Sequence, residues 1–251
     1  MKIINSLLVI IFFLPNNIYS QSKLTSEILV EYDMILDLNN LTHYNAYLYF
    51  NSSNAYFEYK PVESYNSLEE VQDNDNEASL NLIDSTTVQL TIDKINNKVL
   101  EKRKPVFSKK MYVVEEDIPK IQWTLAEETK KINEFSCKKA LTTFRGRKYE
   151  VWYCPELPFN YGPWKLSGLP GLILEANDDK NQVVFNVKKI VTPYHIEMPN
   201  ILKENTKTIT IAEYSKIQKK EIENFESRFK SRSNRDMELH ITYNVNDIEK
   251  E

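Results

Sequence analysis

The chain has 251 residues, of which 41% are hydrophobic and 27% charged, with a formal net charge of −4. This composition excludes a disordered or collagen-like chain, and the negative charge argues against a general nucleic-acid binder. Two cysteines are too few for a disulfide-dense scaffold, so a folded core must supply the stability.

The N-terminus has the pattern of a secretory signal peptide. A basic start at Lys2 precedes an apolar run, Ile3 to Leu14, and a polar region that ends at Ser20. The apolar run is shorter than the roughly 20 residues that span a bilayer. We therefore expect cleavage of residues 1–20 near Ser20, which leaves a single β-rich domain over residues 21–251 with no transmembrane segment. A periplasmic or secreted protein is predicted. It is not expected to be a lipoprotein, because no cysteine lies near Ser20.

The segments that follow predict a mainly β fold. Tyr44 to Phe50 and Ala55 to Lys60 form one predicted hairpin, and Thr87 to Asp93 with Lys98 to Lys102 form a second. Val62 to Leu80 is polar and acidic and is expected to be a loop. Further short strands are predicted as far as Ile211.

One segment near the C-terminus has a clear helical period. A helix is predicted from about Ala212 to Lys230. The apolar side chains on its one face are Tyr214, Ile217, Ile222, Phe225 and Phe229. Such a stripe is typical of a helix that packs on a sheet, and Leu239 to Val245 is compatible with one last strand. We predict a large curved antiparallel sheet or unclosed barrel, with one amphipathic C-terminal helix packed on it.

The glycines are concentrated in one window of the chain. All four lie between Gly146 and Gly171, although other predicted turns use Asn and Asp. Glycine reaches backbone conformations that other residues avoid, so two rigid turns are predicted, at Tyr161–Trp164 and Ser167–Gly171. The residues of this structural motif are Gly146, Gly162, Pro163, Gly168, Leu169, Pro170, Gly171, Leu172 and Ile173.

The string from Gly168 to Ile173 resembles the signature of the GLPGLI family of Bacteroidota envelope proteins. Further segments match that pattern in order and spacing from about Gln122 to Ala176, the core motif region, although Cys154 stands where Thr is more usual. The resemblance implies a secreted or periplasmic protein, often encoded beside TonB-dependent outer-membrane receptors, without an established reaction. The resemblance implies no catalytic residues that could be assigned to positions of this chain.

The two cysteines flank a predicted hairpin. If Arg145 and Gly146 form a two-residue loop, Cys137 faces Cys154; a three-residue loop shifts the register and sends the two side chains to opposite faces. Both loops fit the sequence. We predict a Cys137–Cys154 disulfide of structural role, since an exported chain meets oxidising conditions, and the bond would stabilise the fold by roughly 3 kcal/mol.

No catalytic motif is present. His43, His195 and His240 lie far apart without a second ligand at metal spacing, and phosphate-binding and nucleophile-elbow patterns are missing. No enzymatic activity, metal or cofactor is expected. An aromatic group near the glycine turns is the candidate ligand site, although such rings more often cover one end of a sheet. It comprises Trp152, Tyr153, Phe159, Tyr161 and Trp164.

Two classes of function follow from these predictions. The first is a non-enzymatic envelope protein that binds a hydrophobic or peptidic ligand, or that assists a TonB-dependent transport system. The alternative is a glycan-binding or hydrolytic accessory protein, similar to the bowl-shaped N-terminal domains of some flavobacterial peptide N-glycosidases. A carrier should contain an apolar cavity, whereas a glycan binder should display exposed, coplanar Trp or Tyr rings on a shallow polar groove.

Overall fold

The computed structural model describes residues 24–38, 41–62, 70–74, 77–83, 87–202, 206–232, 238–244 and 248–249. The predicted signal peptide, residues 1–20, lies outside the described residues. Among the residues that are described, no helix has the length and apolar character needed to cross a membrane.

The described part of the chain contains fifteen strands and one helix. The strands are β1 (Ile28–Asp37), β2 (Leu41–Phe50), β3 (Asn54–Pro61), β4 (Glu70–Asn74), β5 (Glu77–Ile83), β6 (Val88–Asp93), β7 (Lys98–Arg103), β8 (Tyr112–Asp117), β9 (Thr124–Ile132), β10 (Phe135–Phe144), β11 (Arg147–Cys154), β12 (Leu172–Asp178), β13 (Val183–Val191), β14 (Lys207–Thr210) and β15 (Glu238–Asn244). Helix α1 spans Ile211–Arg232.

One large sheet dominates the fold. Twelve of the described strands pair in the order β14-β8-β7-β6-β3-β2-β1-β13-β12-β11-β10-β9. The pairs are antiparallel except for β14 and β8, which run parallel. The edge strands β14 and β9 are not neighbours, so the sheet does not close. This confirms the predicted mainly β fold with an unclosed, predominantly antiparallel sheet and a C-terminal helix.

The main core lies on one face of this sheet. Successive side chains of a strand point to opposite faces, and the inward positions are apolar. Tyr32, Phe50, Phe57 and Phe185 are each at most 1% exposed. Phe57 and Phe185 are in edge-on contact, with ring centroids 6.3 Å apart, across the interior. The inner face is therefore covered by the chain's own aromatic side chains.

The segment between β11 and β12 crosses one end of the sheet and packs into this core. Tyr161 and Trp164 are buried, and the Ile173 amide donates to the Tyr161 carbonyl at 3.0 Å. Gly171 lies directly against the end of β11: a Cβ atom there would approach the Cys154 carbonyl oxygen to 2.3 Å. Only glycine fits at this position, because the obstacle is backbone and cannot move aside.

Helix α1 begins with a capping box and packs on the connection between β7 and β8. The Glu213 amide donates to the Thr210 hydroxyl at 3.2 Å, and the Glu213 carboxylate accepts from the Thr210 amide at 2.8 Å. Farther along, the Phe225 ring stacks on Phe107 with centroids 3.9 Å apart. The Val106 amide donates to the Gln218 side-chain oxygen at 3.0 Å.

A second, three-stranded sheet was not predicted. The expected loop from Val62 to Leu80 is wrong in part, because β4 and β5 form an antiparallel pair within it. β15 runs parallel to β5 and completes this sheet in the order β15-β5-β4. The pairing of β15 with β5 joins segments that are distant in sequence, so no local sequence pattern predicts it.

Candidate functional site

An open groove of about 550 Å³ runs over the outer face of β9, β10, β11 and β12. This volume lies within the range of ~300–1,000 Å³ that is typical of small-ligand sites. The side chains that characterise its chemistry are Thr124, Leu141, Lys148, Glu150, Asn177 and Asp179.

The tight turn between β10 and β11 sets the register of the groove. Arg145 and Gly146 have φ angles of 49° and 72°, the left-handed pair that a two-residue type I′ hairpin loop requires. Leu141 consequently faces Glu150, which in turn faces Asn177 on β12. These three side chains form a continuous row across three strands.

The groove is rich in hydrogen-bonding groups that are open to solvent. Asn177 contacts the Asn181 side chain through its amide nitrogen, at 3.3 Å. Asp179 is exposed at the start of the β12–β13 turn. Thr142, by contrast, donates its hydroxyl proton to the Gln122 carbonyl at 2.7 Å, which ties the segment before β9 to β10. The groove thus offers amide, carboxylate and ammonium groups beside one apolar side chain, Leu141.

Trp152 lies next to the groove on the same outer face. Its ring is approached by the ammonium groups of Lys130 and Lys139, at 5.5 and 5.9 Å from the ring centroid. Lys139 also forms an ion pair with Glu150 at 2.8 Å, and the hydrogen bond that its ammonium donates to this carboxylate raises the lysine pKa above its ordinary value. The indole is thereby joined to the groove through Lys139 and Glu150.

The structure separates the aromatic residues that were predicted as a ligand site. Tyr153, Tyr161 and Trp164 are 3% exposed or less and belong to the core. Phe159 is half-buried and packs edge-on against Phe50, with centroids 5.2 Å apart. Trp152 alone lies beside the groove. A ligand-binding role for the set stays a prediction, and the groove residues themselves were not singled out from sequence.

A row of tyrosines forms a second candidate surface, on the outer face of β2 and β3. The rings of Tyr47 and Tyr49 are stacked with centroids 6.4 Å apart and an interplanar angle of 28°. Tyr194 lies 6.1 Å from Tyr49 on its other side. Burial and the nearby Glu58 carboxylate raise the pKa of Tyr49 to about 12, so the phenol of Tyr49 is uncharged at neutral pH.

A cluster of buried charged side chains lies on the inner side of the large sheet. Its members are Glu101, Arg103, Glu116, Arg145, Lys165 and Glu249. The Lys165 ammonium is central: it lies 2.9 Å from Glu101, 2.5 Å from Glu116 and 2.6 Å from Glu249. Trp164, with φ of 55°, adopts a left-handed conformation that is rare for a residue with a side chain. This bend lies where Trp164 and Lys165 both enter the interior.

Neighbouring opposite charges hold Glu101 and Lys165 ionised. Burial alone would favour the neutral carboxyl of Glu101, but Arg103 and Lys165 lower its pKa to about 2. Burial likewise opposes the charge of Lys165, and Glu101 and Glu249 reverse this and raise its pKa above the ordinary value. The acids and bases are matched in number, three of each, among the residues named above. This pattern is typical of a structural ion network.

Cys137 and Cys154 occupy neighbouring strands. Lys138 pairs with Tyr153, which corresponds to the two-residue loop and places the cysteines at the next position of the hairpin. Both are buried free thiols in the structure. Burial, followed by the proximity of Cys154, raises the pKa of the Cys137 thiol to about 12. The register permits the predicted disulfide, which stays a prediction.

Over the described part of the chain, no three side chains of His, Cys, Asp or Glu are grouped so that they could hold a metal ion.

Residues 61–216, more than half of the chain, match the family described as "N-glycanase peptide, N-terminal domain". The chain therefore belongs to this family of N-terminal domains. No curated protein matches its sequence.

Two solved structures resemble the fold. One, titled "Structure of PNGF-II in C2 space group", has a TM-score of 0.53 and 16% identity over 78% of this chain and 33% of that chain. The other, "Structure of PNGF-II in P21 space group", has a TM-score of 0.49 and 17% identity over 78% of this chain and 34% of that one. The present chain thus spans about a third of the length of the PNGF-II chains, and the likeness concerns the fold.

The predicted membership of the GLPGLI family is wrong, because the family match is to the N-glycanase N-terminal domain. The string from Gly168 to Ile173 reflects the local requirement for glycine beside β11. The expected envelope role beside TonB-dependent receptors rested on that resemblance and stays untested.

Proposed function

We propose that this chain is a glycan-binding domain that presents N-linked glycoprotein substrates to an associated hydrolase, and that the outer groove is its binding site. The observation that carries the proposal is the open polar groove over β9 to β12. The family to which the chain belongs takes its name from an N-glycanase, which supports a glycan as ligand class.

The groove suits a sugar better than an apolar ligand. A pyranose displays hydroxyl groups that both donate and accept, together with small apolar patches of C–H groups. Asn177 offers both a donor and an acceptor, Glu150 and Asp179 accept, and Lys148 donates. Leu141 is 39% exposed in the same groove and provides an apolar contact. The predicted hydrophobic-ligand function has less support, because the inner face is covered by core side chains.

The test compares a glycopeptide that carries one N-linked glycan with the same peptide without the glycan. Isothermal titration calorimetry of the unmodified protein should show binding of the first and no binding of the second. The double variant Asn177→Ala/Asp179→Ala should bind the glycopeptide about tenfold more weakly, since one or two hydrogen bonds of roughly 1 kcal/mol are lost.

Two control variants make the result specific. Lys188→Ala alters an exposed lysine on β13, outside the groove, and should bind as the unmodified protein does. Tyr47→Ala alters the tyrosine row on the other part of the outer face. If Tyr47→Ala abolishes binding and the groove variant does not, the tyrosine row is the site and the groove assignment is wrong. Equal binding of both peptides would exclude a glycan-binding role.

A further inference from the structure

A second row of outward side chains lies beside the row that forms the groove. Glu150, in the middle of the groove row, is followed two positions along β11 by Trp152, which therefore points to the same face. Trp152 pairs with Lys139 on β10 and with Glu175 on β12, and these three residues form the second row. The two rows lie about 7 Å apart, since each residue advances a strand by about 3.3 Å. This step is comparable with the distance from one sugar ring to the next in an oligosaccharide.

The Trp152 ring is partly exposed and is surrounded by charged groups. The ammonium groups of Lys130 and Lys139 lie 5.5 and 5.9 Å from the ring centroid. Lys130 forms an ion pair with Glu175 at 2.5 Å. Lys139 forms one with Glu150 at 2.8 Å. Two lysine–glutamate pairs therefore lie beside one aromatic ring that water can reach.

This arrangement has the two properties that a pyranose ring requires. The C–H groups of a pyranose pack on the face of an aromatic ring, while its hydroxyl groups project from the rim and form hydrogen bonds. The Trp152 ring supplies the apolar surface, the two ammonium groups donate and the two carboxylates accept. The Lys130 side chain is 44% exposed, and an ion pair this exposed is weakly held. Lys130 can therefore turn aside when a sugar approaches the ring.

We propose that the binding site continues from the groove onto Trp152, and that its ligand is an oligosaccharide of at least two linked sugar units. One unit lies in the groove, and the next lies against the Trp152 ring. This inference rests on the proposed function and adds to it a second subsite and the residue that forms it. Trp152 thus selects glycans by length, because a ligand with a single sugar occupies the groove alone.

The test measures how much a second sugar strengthens binding. Isothermal titration calorimetry compares two glycopeptides of the same sequence, one with a single N-acetylglucosamine on its Asn and one with two linked N-acetylglucosamine units. The unmodified protein should bind the second about tenfold more tightly, because one further sugar ring packs on an aromatic side chain. Trp152→Ala should bind the single-sugar glycopeptide as the unmodified protein does and should lose the gain from the second sugar. Trp152→Phe keeps an aromatic ring and should retain part of the gain.

Tyr47→Ala is the matched control, because it removes a partly exposed aromatic ring that lies outside the two rows, and it should leave the gain unchanged. A merely structural role of Trp152 would weaken the binding of both glycopeptides equally and keep the gain, which would overturn the proposal. Equal affinity of the unmodified protein for the two glycopeptides would also overturn it, while the groove would still bind one sugar as the proposed function requires. Failure to bind either glycopeptide would refute the proposed function together with this inference.

Should Trp152→Ala lose its packed core by near-UV circular dichroism, nuclear magnetic resonance of the unmodified protein provides the test. The chain has three tryptophans, and the indole N–H signal of Trp152 is the one that is missing from the spectrum of Trp152→Phe. The two-sugar glycopeptide should shift this signal, and the single-sugar glycopeptide should shift it much less. The indole signal of Trp164, which is 2% exposed, should not move. A Trp152 signal that stays unshifted at saturation with the two-sugar glycopeptide would overturn the proposal.

Discussion

The two faces of β11 carry polar groups in opposite situations. On the outer face, Lys139 and Glu150 form an ion pair at 2.8 Å, with side chains 19% and 36% exposed. On the inner face, Arg147 and Asp178 form one at 2.7 Å, with side chains 3% and 0% exposed. The distances are nearly equal, so the two pairs differ mainly in their access to water.

That difference decides what each face can do. An exposed pair is screened by solvent and contributes about 0–1 kcal/mol, so its members can exchange partners with a ligand at little cost. A buried pair has lost its hydration, and removal of one member typically costs about 3–5 kcal/mol because the other charge is left uncompensated. The outer groove is therefore suited to binding, and the inner charges hold the fold together.

The largest effect is expected from Lys165→Met. This change removes the central cation of the charge cluster and leaves Glu101, Glu116 and Glu249 facing two guanidinium groups. We expect the free energy of unfolding, measured by urea denaturation, to fall by about 3–5 kcal/mol. Lys188→Met is the control, because its ion pair with Asp33 is exposed, and it should change stability by less than about 0.5 kcal/mol. Equal effects would show that the cluster is not a buried network.

Acid should act on the inner face selectively. The pKa of Glu101 is lowered to about 2 by Arg103 and Lys165 against the effect of burial. Its ionisation therefore stabilises the fold above its ordinary pKa of about 4.5, and this contribution is lost as the pH falls from about 5 towards 2. The loss should be of the order of 3 kcal/mol. The raised pKa of Lys165 has the opposite sign: its contribution is complete below the ordinary lysine pKa and is lost only in strong base.

Urea denaturation at pH 7, 5 and 3 measures this dependence. The variant Glu101→Gln should be less stable at pH 7 and should change less between pH 5 and 3 than the unmodified protein. Parallel stability curves for the two proteins would mean that other carboxylates cause the acid sensitivity.

The fold was largely predictable because alternation and helical periodicity are local. Strand patterns and the stripe around Phe225 were sufficient for a curved sheet with one helix. The second sheet was not predictable, since β5 pairs with β15, which lies far along the chain. The loop between β10 and β11 was undecided because Arg145 adopts a φ of 49°, a conformation that residues other than Gly, Asn and Asp seldom take.

The candidate site was less predictable than the fold. Leu141, Glu150 and Asn177 are ordinary outward residues of three strands, and only the strand order brings them into one row. Aromatic residues near the glycine turns stood out in the sequence, yet Tyr161 and Trp164 are used to fill the core. The sequence shows that aromatic residues are concentrated in one segment, whereas the position of each residue in the sheet decides whether a ligand can reach it.

The smallest effect is expected from Lys139→Met, on the outer face of the sheet. The change removes the ion pair with Glu150 but keeps an apolar stem near Trp152. The free energy of unfolding should fall only slightly, because solvent screens the pair, and the difference should disappear in about 1 M salt, where the Debye length is near 3 Å. A double-mutant cycle with Glu150→Gln isolates the pair. A coupling as large as the effect of Lys165→Met would mean that the outer face is as rigid as the inner one, and that the groove residues are not available to a ligand.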